Sequence, residues 1–302
     1  MGACKGGINM TGIDISTHNS VYSYPTLAAG VDFAVIKASQ GHLMDGSAYL
    51  FVDPKFYAHM KGCIAAKIPV AVYHFLTAES EAAAEREASF FCDAIEPWKE
   101  YIMYAFCDCE NYGSNKWLQG ISRAELTRRV NAFCGVVEKR GYRAAHYTNV
   151  DHINSYINLR DIPYPVWVAD YRRGAKKPSY NNVIAWQYTE EGKIGGVYGN
   201  VDLNRGYFPE LAAVYRLFEW GVINSPKYWA AHYGDVQYLG ELLVNCAGRI
   251  SAKGARMGDV EAAIRSLHEQ RVINTPGYWQ QHKGDIGNLE ELLKALGGCR
   301  YK

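Results

Sequence analysis

The sequence predicts an α/β barrel of eight strands, followed by a smaller helical unit. Three observations support this prediction. From Thr11 to Phe208, apolar strand-like runs alternate with segments of helical spacing, which is typical of parallel β–α–β units. The last three runs follow one another with little room for helices, so five strands alternate with helices and three do not. After Phe208 the alternation stops and an internal repeat begins.

Each predicted strand is a short apolar run bounded by polar residues. The eight runs lie at 12–16, 33–39, 69–75, 101–110, 143–148, 165–171, 183–188 and 199–203. Helical spacing is clear at 80–95 and 122–139. We therefore divide the chain into an N-terminal extension (1–10), a barrel (11–208) and a small all-α C-terminal domain (209–302).

The most informative motif is Asp108-Cys109-Glu110, at the end of the fourth predicted strand. Side chains two residues apart on a strand point to one face, so both carboxylates would project together at the strand's C-terminal end. That end carries the active site in parallel α/β barrels. Repulsion between close carboxylates can keep one of them protonated near neutral pH, which suits acid/base chemistry. A pair of solvated acids at a strand-to-loop junction is the alternative.

Composition is typical of a folded soluble protein and excludes several functional classes. The 302 residues are 48% hydrophobic and 21% charged. A formal net charge of +1 without basic runs gives no indication of nucleic-acid binding. No apolar stretch is long enough to insert into a membrane. The eight cysteines form no Cys-x-x-Cys pair and no Cys/His cluster with zinc-ligand spacing, so we expect reduced structural thiols, no metal and no cofactor.

The C-terminal residues contain two copies of one helical motif. The segment 222–229 matches 272–279, and each contains Asn-Ser/Thr-Pro followed by Tyr-Trp. Two copies of a small module beside a catalytic barrel favour bivalent binding to a polymer. The candidate anchors are the aromatic residues Tyr228, Trp229, Tyr278 and Trp279. A place in the core of each module is the alternative for these rings, and a structural cap or a dimerisation unit is the alternative for the repeat.

Seven ordered motifs between residues 12 and 208 resemble those of glycoside hydrolase family 25, a family of muramidases. The motifs are Gly12-Ile13-Asp14-Ile15-Ser16, Lys37-Ala38-Ser39-Gln40-Gly41, Tyr73-His74-Phe75, Asp108-Cys109-Glu110, Trp167-Val168-Ala169-Asp170-Tyr171, Trp186-Gln187-Tyr188 and Gly199-Asn200-Val201-Asp202-Leu203-Asn204. The sequence departs from the family at one position, because many members carry Glu where this chain has Gln40.

The resemblance implies an irregular (β/α)5β3 TIM-like barrel, in agreement with the strand count above. It implies hydrolysis of the β-1,4 bond between N-acetylmuramic acid and N-acetylglucosamine in peptidoglycan. By the same resemblance, Glu110 is the general acid, Asp108 is its neighbour, and Asp14 and Asp202 complete an acidic ring. Glycoside cleavage requires these groups, since one protonated carboxyl must face the leaving oxygen and negative charge must lie elsewhere.

Aromatic side chains near the same strand ends would form walls on which sugar rings stack. The candidates are Tyr73, Tyr147, Trp167, Tyr171, Trp186 and Tyr188. For each of them, packing in the core is the alternative. His74 has the pattern of a hydrogen-bonded core residue rather than of a sugar contact.

Three other functions are alternatives to this one. A chitinase-like barrel would require Asp at two positions where the chain has Met103 and Phe106. The intact Asp108 and Glu110 argue against a non-catalytic barrel that only binds glycans. A scaffold whose repeats bind another protein is the third alternative.

The expected partners are peptidoglycan and a cell-wall polymer bound by the repeats. A homo-oligomer formed through the C-terminal domain is an alternative role for them. The first seven residues contain no apolar segment typical of a secretory signal. A wall-degrading enzyme without such a signal suggests a phage-type endolysin, which is made in a bacterial cytoplasm and released through a holin pore. An autolysin with the same activity is the alternative.

Overall fold

The chain folds into two compact units, residues 1–207 and 208–302. The computed structural model describes residues 10–44, 47–110, 120–297 and 299–301. The boundary expected after residue 208 lies one residue from this division. The expected N-terminal extension falls, apart from Met10, outside the described residues, as does Cys4. No helix in the described residues is long and apolar enough to cross a membrane.

Eight strands of the first unit close into a barrel. The strands of this unit are β1 (Met10–Ile15), β2 (Ser20–Val21), β3 (Phe33–Met44), β4 (Ser47–Val52), β5 (Val70–Phe75), β6 (Ile102–Asp108), β7 (Ala144–Asn149), β8 (Val166–Ala169), β9 (Val183–Gly192), β10 (Val197–Tyr198) and β11 (Val201–Gly206). The barrel order is β1-β3-β5-β6-β7-β8-β9-β11, and β11 pairs back with β1. Neighbouring strands are parallel, except that β11 runs antiparallel to both β9 and β1.

Helices follow the first five barrel strands, as the sequence predicts. They are α1 (Tyr24–Ala28), α2 (Phe56–Ala65), α3 (Glu81–Ile95), α4 (Arg123–Lys139) and α5 (Val150–Ser155), with 3-10 turns at Glu96–Tyr101 and Leu159–Asp161. In the described residues no α-helix lies between β8 and β11. Ser80 and Ser122 cap α3 and α4, because each hydroxyl accepts a hydrogen bond from a backbone N–H of the first turn. The prediction of an irregular (β/α)5β3 barrel is confirmed.

Two apolar layers hold the barrel together. The outer layer lies between strands and helices and includes Ile36 of β3 and Cys107 of β6. Phe106 and Trp167 lie in the interior of the barrel, where their rings pack edge to face at 5.3 Å. The cysteines of the described residues are all free and buried, which agrees with structural thiols.

His74 is a hydrogen-bonded core residue, as the sequence predicts. It links the strands to the helices within the outer layer. It is fully buried, and its Nε2 lies 2.8 Å from an oxygen of Glu87 on α3. Its Nδ1 lies 2.8 Å from the Ser39 hydroxyl on β3. The ring stacks on Phe133 of α4 with centroids 5.3 Å apart. Both ring nitrogens are therefore satisfied inside the core, and His74 is not available to a ligand.

The second unit consists of two three-helix repeats. Its elements are α6 (Pro209–Glu219), α7 (Pro226–His232), α8 (Leu239–Arg249), β12 (Ile250–Ala252), α9 (Val260–Glu269), α10 (Pro276–His282), α11 (Leu289–Gly297) and β13 (Arg300–Tyr301). The expectation of a purely helical domain needs one correction, because β12 and β13 pair antiparallel. Strands of three and two residues are too short to show a periodic pattern in the sequence.

The two repeats contact each other through equivalent hydrogen bonds. The Tyr228 hydroxyl of the first repeat donates to the Gly287 carbonyl of the second at 2.6 Å. The equivalent Tyr278 hydroxyl donates back to the Gln237 carbonyl at 2.9 Å. The two donors are 50 residues apart in the sequence, and so are the two acceptors. In the same way, β12 of the first repeat pairs with β13, its equivalent in the second repeat. The second unit therefore has approximate internal two-fold symmetry.

The packing of β1 generates a prediction about stability. A Cβ at Gly12 would lie 2.2 Å from the Phe33 ring inside the barrel. Overpacking of this kind typically costs about 1–3 kcal/mol of unfolding free energy. We therefore expect Gly12→Ala to lower the melting temperature of the barrel, measured by differential scanning calorimetry.

Gly135→Ala is the matched control. Gly135 lies inside α4, where the one described atom within 4 Å of an added Cβ is the Tyr164 hydroxyl oxygen, at 3.9 Å. Alanine is favoured over glycine by roughly 0.5–1 kcal/mol in a helix, so this variant should be at least as stable as the parent. Equal melting temperatures for Gly12→Ala and the parent would show that the barrel interior relaxes around the new methyl group.

Candidate active site

The four acids singled out in the sequence lie at one end of the barrel, where the parallel strands end. We call this end the mouth. Asp14 is near the end of β1, Asp108 is the last residue of β6, and Glu110 follows two residues later. Asp202 is on β11 and faces Asp14 directly in the antiparallel ladder. The structure thus brings together residues from the first, fourth and eighth barrel strands.

Two amides orient Asp14. Its Oδ2 accepts a hydrogen bond from Gln187 Nε2 at 2.7 Å and another from Asn204 Nδ2 at 2.8 Å. Gln187 Nε2 also lies 3.4 Å from Asp202 Oδ2. The Asn204 oxygen accepts from the indole N–H of Trp167 at 2.8 Å, which sets the direction of its amide group. Asp14 is therefore held in one orientation by buried side chains.

The hydroxyls of two tyrosines continue this network. Tyr147 and Tyr171 both donate to Gln187 Oε1, at 2.7 and 2.5 Å. Since these donors occupy the oxygen of the Gln187 amide, its nitrogen must face Asp14 and Asp202. The Tyr147 hydroxyl also lies against Glu110. One chain of hydrogen bonds therefore connects three of the four acids: Asp14, Asp202 and Glu110.

Glu110 lies at the edge of a cavity of about 500 Å³. Tyr147, Asn149 and Tyr171 line the same cavity. Asn149, the last residue of β7, donates to Glu110 Oε2 at 3.3 Å. Burial raises the pKa of Glu110 to about 7, against the hydrogen bond from Asn149, which lowers it. A carboxyl group that is still protonated near neutral pH therefore faces open space.

The other three acids also have raised pKa values. Burial is the main cause for Asp108, and the neighbouring charge of Glu110 raises its pKa further. Asp108 Oδ1 is buried and has no hydrogen-bond partner in the described part of the chain. Burial likewise raises the pKa of Asp14 and of Asp202, and the two side chains are hydrogen-bonded to each other. Two carboxyls that close share a proton more readily than they both ionise.

The six aromatic candidates fall into three groups. Tyr73, Tyr147 and Trp167 lie inside the barrel below the acids, with the Trp167 ring 4.4 Å from Tyr147 and 6.4 Å from Tyr73. Trp167 is only 2% exposed, so it supports the site from beneath and cannot act as a stacking wall. Tyr171 is 44% exposed and lines the cavity beside Glu110. Tyr171 is therefore the candidate best placed for contact with a sugar ring.

Trp186 and Tyr188 do not line the mouth. They flank Gln187 on β9, and alternate residues of a strand point to opposite faces. Because Gln187 points inward to Asp14, the two rings point outward. Trp186 donates to the Asp170 carbonyl at 3.1 Å, and Tyr188 lies over the Arg205 guanidinium at 5.2 Å. Their predicted role in substrate contact is wrong for this geometry.

Gln187, Asn204 and Asn149 are site residues that the sequence patterns did not predict. Asn204 could have been found, because it lies two residues from Asp202 and shares its strand face. Gln187 lies between Trp186 and Tyr188, and the sequence pattern directed the prediction of sugar contact to these two aromatic residues instead. The residues that the structure describes contain no group of three His, Cys, Asp or Glu side chains arranged to hold a metal ion.

A larger cavity of about 780 Å³ lies beside the amino-terminal ends of β8 and β9, which are not the ends that form the mouth. Its lining includes Arg123, Tyr164 and Tyr180, and its one carboxylate, Asp161, lies on an exposed 3-10 turn. The cluster of buried acids at the mouth, rather than cavity size, therefore identifies the candidate site.

A closed α/β barrel with a protonated carboxyl and further acids at the carboxyl ends of its strands defines a barrel glycosidase. Comparison with known families agrees with this class. Residues 13–197, more than half of the chain, match the family described as Glycosyl hydrolases family 25. The chain belongs to this family.

Individual relatives are distant. The chain is 26% identical over 197 residues to the Autolytic lysozyme of Clostridium acetobutylicum, a match covering 65% of this chain and 55% of that protein. It is 26% identical over 205 residues to Lysozyme M1 of Streptomyces globisporus, covering 64% and 66%. The crystal structure of the Clostridium perfringens spore cortex lytic enzyme SleM superposes with a TM-score of 0.57 at 26% identity, covering 68% and 69%. The chain thus spans about half the length of the autolytic lysozyme.

The raised pKa of Asp202 generates a prediction about stability and pH. Burial raises this pKa from 3.8 to about 9, so the folded state binds a proton that the unfolded state releases between these values. Unfolding free energy should therefore fall as pH rises through this window. Asp202→Asn cannot release the proton, so its melting temperature relative to the parent should increase steadily between pH 5 and pH 9.

Asp170→Asn is the control with the opposite sign. Hydrogen bonds from Arg172 lower the pKa of Asp170, so its ionised form stabilises the fold at neutral pH and this contribution is lost in acid. This variant should be less stable than the parent at pH 7, with the difference shrinking below pH 4. Parallel melting curves for Asp202→Asn and the parent across all pH values would contradict a proton held at Asp202.

Proposed function

We propose that this protein is a peptidoglycan hydrolase that cleaves the β-1,4 bond between N-acetylmuramic acid and N-acetylglucosamine. The observation that carries the proposal is Glu110, a carboxyl with a pKa raised to about 7 by burial, at the edge of an open cavity. Family membership and the two lysozyme relatives support the same substrate class.

In the proposed reaction, Glu110 acts as the general acid and protonates the glycosidic oxygen as the bond breaks. Its raised pKa matches the task, because an efficient general acid titrates close to the working pH. The Asn149 amide holds Glu110 Oε2, and the Tyr147 hydroxyl lies against the same carboxyl group at the edge of the cavity. Tyr171 at the cavity edge would support the sugar ring.

The remaining acids provide negative charge for the oxocarbenium-like transition state. Asp14 and Asp202 share a proton and carry one charge between them, directed by the amides of Gln187 and Asn204. Asp108 is fully buried beneath Glu110, and burial and the neighbouring Glu110 charge raise its own pKa, so Asp108 is the member of the pair that stays neutral.

The structure gives less support to the alternative functions. Met103 and Phe106 fill the buried positions where a chitinase-like barrel would require acids. A barrel that only binds glycans would have no need for a buried acid cluster, which costs stability wherever its pKa values are raised. The proposed catalytic function explains that cost.

Replacing the proposed acid should abolish most activity. Glu110→Gln retains the shape and the acceptor for Asn149 but cannot supply a proton. General acid catalysis contributes roughly 10²–10⁴-fold, so the rate of peptidoglycan cleavage should fall by about that factor while the melting temperature does not fall. Turbidity loss of purified cell walls gives the rate, and borohydride reduction of the new ends should yield muramitol.

Glu138→Gln is the control, because Glu138 lies exposed on α4 away from the mouth. It should cleave at the parental rate. The parental pH profile should decline above about pH 7, where Glu110 loses its proton. Near-parental cleavage by folded Glu110→Gln, or glucosaminitol at the new ends, would overturn the assignment.

We further propose that residues 208–302 form a wall-anchoring module. Its duplicated three-helix architecture supports the proposal, since two copies of one motif suit a repetitive polymer. The expectation that the indoles are anchors must be corrected, because Trp229 and Trp279 are only 4% and 3% exposed. Tyr228 and Tyr278 are half-buried and use their hydroxyls to join the repeats. Binding would therefore involve other surface residues.

Removal of residues 208–302 tests the anchoring role. The barrel alone should cut purified, solubilised peptidoglycan at the parental rate, because the acids all lie in the first unit. It should clear intact cells more slowly, since avidity for the wall is lost. Sedimentation should show the full chain, but not the barrel, bound to walls. If the full chain ignores walls and forms dimers that the barrel does not, the module serves assembly.

A phage-type endolysin released through a holin pore is the biological role that we propose for this activity. An autolysin is the second candidate, favoured by the similarity to the Autolytic lysozyme of Clostridium acetobutylicum. Expression inside a bacterial host with and without a holin distinguishes the two, because an endolysin lyses the host only when the pore opens.

A further inference from the structure

The mouth contains a cation, Lys37, in addition to the four acids. Lys37 lies on β3 in register with Tyr73 of β5. Residues 34 and 36 pack in the outer layer, so Lys37, on the alternate face, points into the barrel. Its Nζ lies 5.4 Å from the centre of the Phe75 ring. A lysine in this position has lost much of its hydration, and its charge requires compensation.

A β-bulge provides Lys37 with a hydrogen-bond partner. The register between β3 and β5 shifts between Lys37 and Ser39. Ala38 and Ser39 consequently both face outward, where Ala38 joins the outer layer and Ser39 bonds His74. Gln40 returns to the inner face, and its Oε1 accepts a hydrogen bond from Lys37 Nζ at 2.5 Å. In a regular strand, residues three apart would lie on opposite faces.

Gln40 is neutral, so it holds the ammonium group without balancing its charge. The charged groups around Lys37 come from several elements: Asp53 after β4, Asp108 and Glu110 at the end of β6, Asp14 on β1 beside them, and the His74–Glu87 pair on the outer side of β5. Asp53 is already engaged by the backbone N–H groups of Thr17 and Lys55. Asp108 and Glu110 of the site balance the Lys37 charge together with Asp53, and Asp108 has the largest effect.

We propose that Lys37 is a positioning residue, a cation held by Gln40 that maintains a carboxylate charge on the Asp108–Glu110 pair and thereby sets the pH range of the enzyme. Its connection to activity rests on the proposed function. Burial raises the pKa of Glu110 and of Asp108, and the Lys37 charge lowers both. Burial also lowers the pKa of Lys37, which Asp108 raises in return. The cation thus limits how far burial can raise the pKa values of Asp108 and Glu110.

Three variants separate charge from packing. Lys37→Met keeps the length of the side chain and removes the cation, so the titration midpoint of the Glu110 carboxyl should rise by about one pH unit. Gln40→Glu neutralises Lys37 from its own strand and should shift the midpoint in the same direction. Lys37→Arg retains the charge and should keep the midpoint close to the parental value. The alkaline limb of the activity profile should follow the midpoint in each case.

The midpoint is measured by carbon-13 NMR of carboxyl-labelled full-length protein, with Glu110→Gln identifying the resonance. Lys61→Met, at an exposed position on α2, is the matched control and should leave the midpoint unchanged. Folded Lys37→Met and Gln40→Glu proteins with parental midpoints would show that Lys37 only fills space and would overturn the proposal. A shifted midpoint in a protein that cuts no peptidoglycan would confirm the effect of Lys37 and reject the proposed function instead.

Discussion

The antiparallel closure of the barrel between β1 and β11 is the constraint on which the site depends. Because β11 runs against both of its neighbours, Asp202 comes to face Asp14 directly across the ladder. Two carboxyls this close are tolerated in a buried place only when they share a proton and their oxygens are satisfied. The amides of Gln187 and Asn204 meet this requirement, and Gln187 extends the network to the tyrosine hydroxyls beside Glu110.

The same burial that prepares the site for chemistry lowers the stability of the fold. Each acid with a raised pKa keeps a proton that the unfolded chain would release, so the acids destabilise the barrel as pH rises. Two apolar layers and buried pairs such as His74 with Glu87 stabilise the fold and offset this loss of stability. Lys37 reduces the cost by placing a cation among the acids, and the bulge at Ser39 determines the position of that cation.

In the second unit, much of the identity between the two repeats is explained by packing. The repeated tryptophans are buried, and the repeated tyrosines join one copy to the other. The pairing of β12 with β13 follows the same approximate two-fold symmetry. Asn224 and Asn274 are also repeated and are exposed, so packing does not account for them. A search for wall contacts is therefore better directed to such exposed repeated positions than to the aromatic pairs.

The sequence by itself determined the eight strands, the two long helices and the repeat, because hydrophobic periodicity and capping serines are local signals. It also determined that Asp108 and Glu110 lie close together at the end of the fourth barrel strand, although β6 itself ends at Asp108 and Glu110 follows it. Only the tertiary structure decided that Asp14 meets Asp202, that Gln187 points inward while Trp186 and Tyr188 point outward, and that the indoles of the repeats are buried. These outcomes depend on strand register, on a bulge and on contacts between segments far apart in sequence, and no local pattern specifies them.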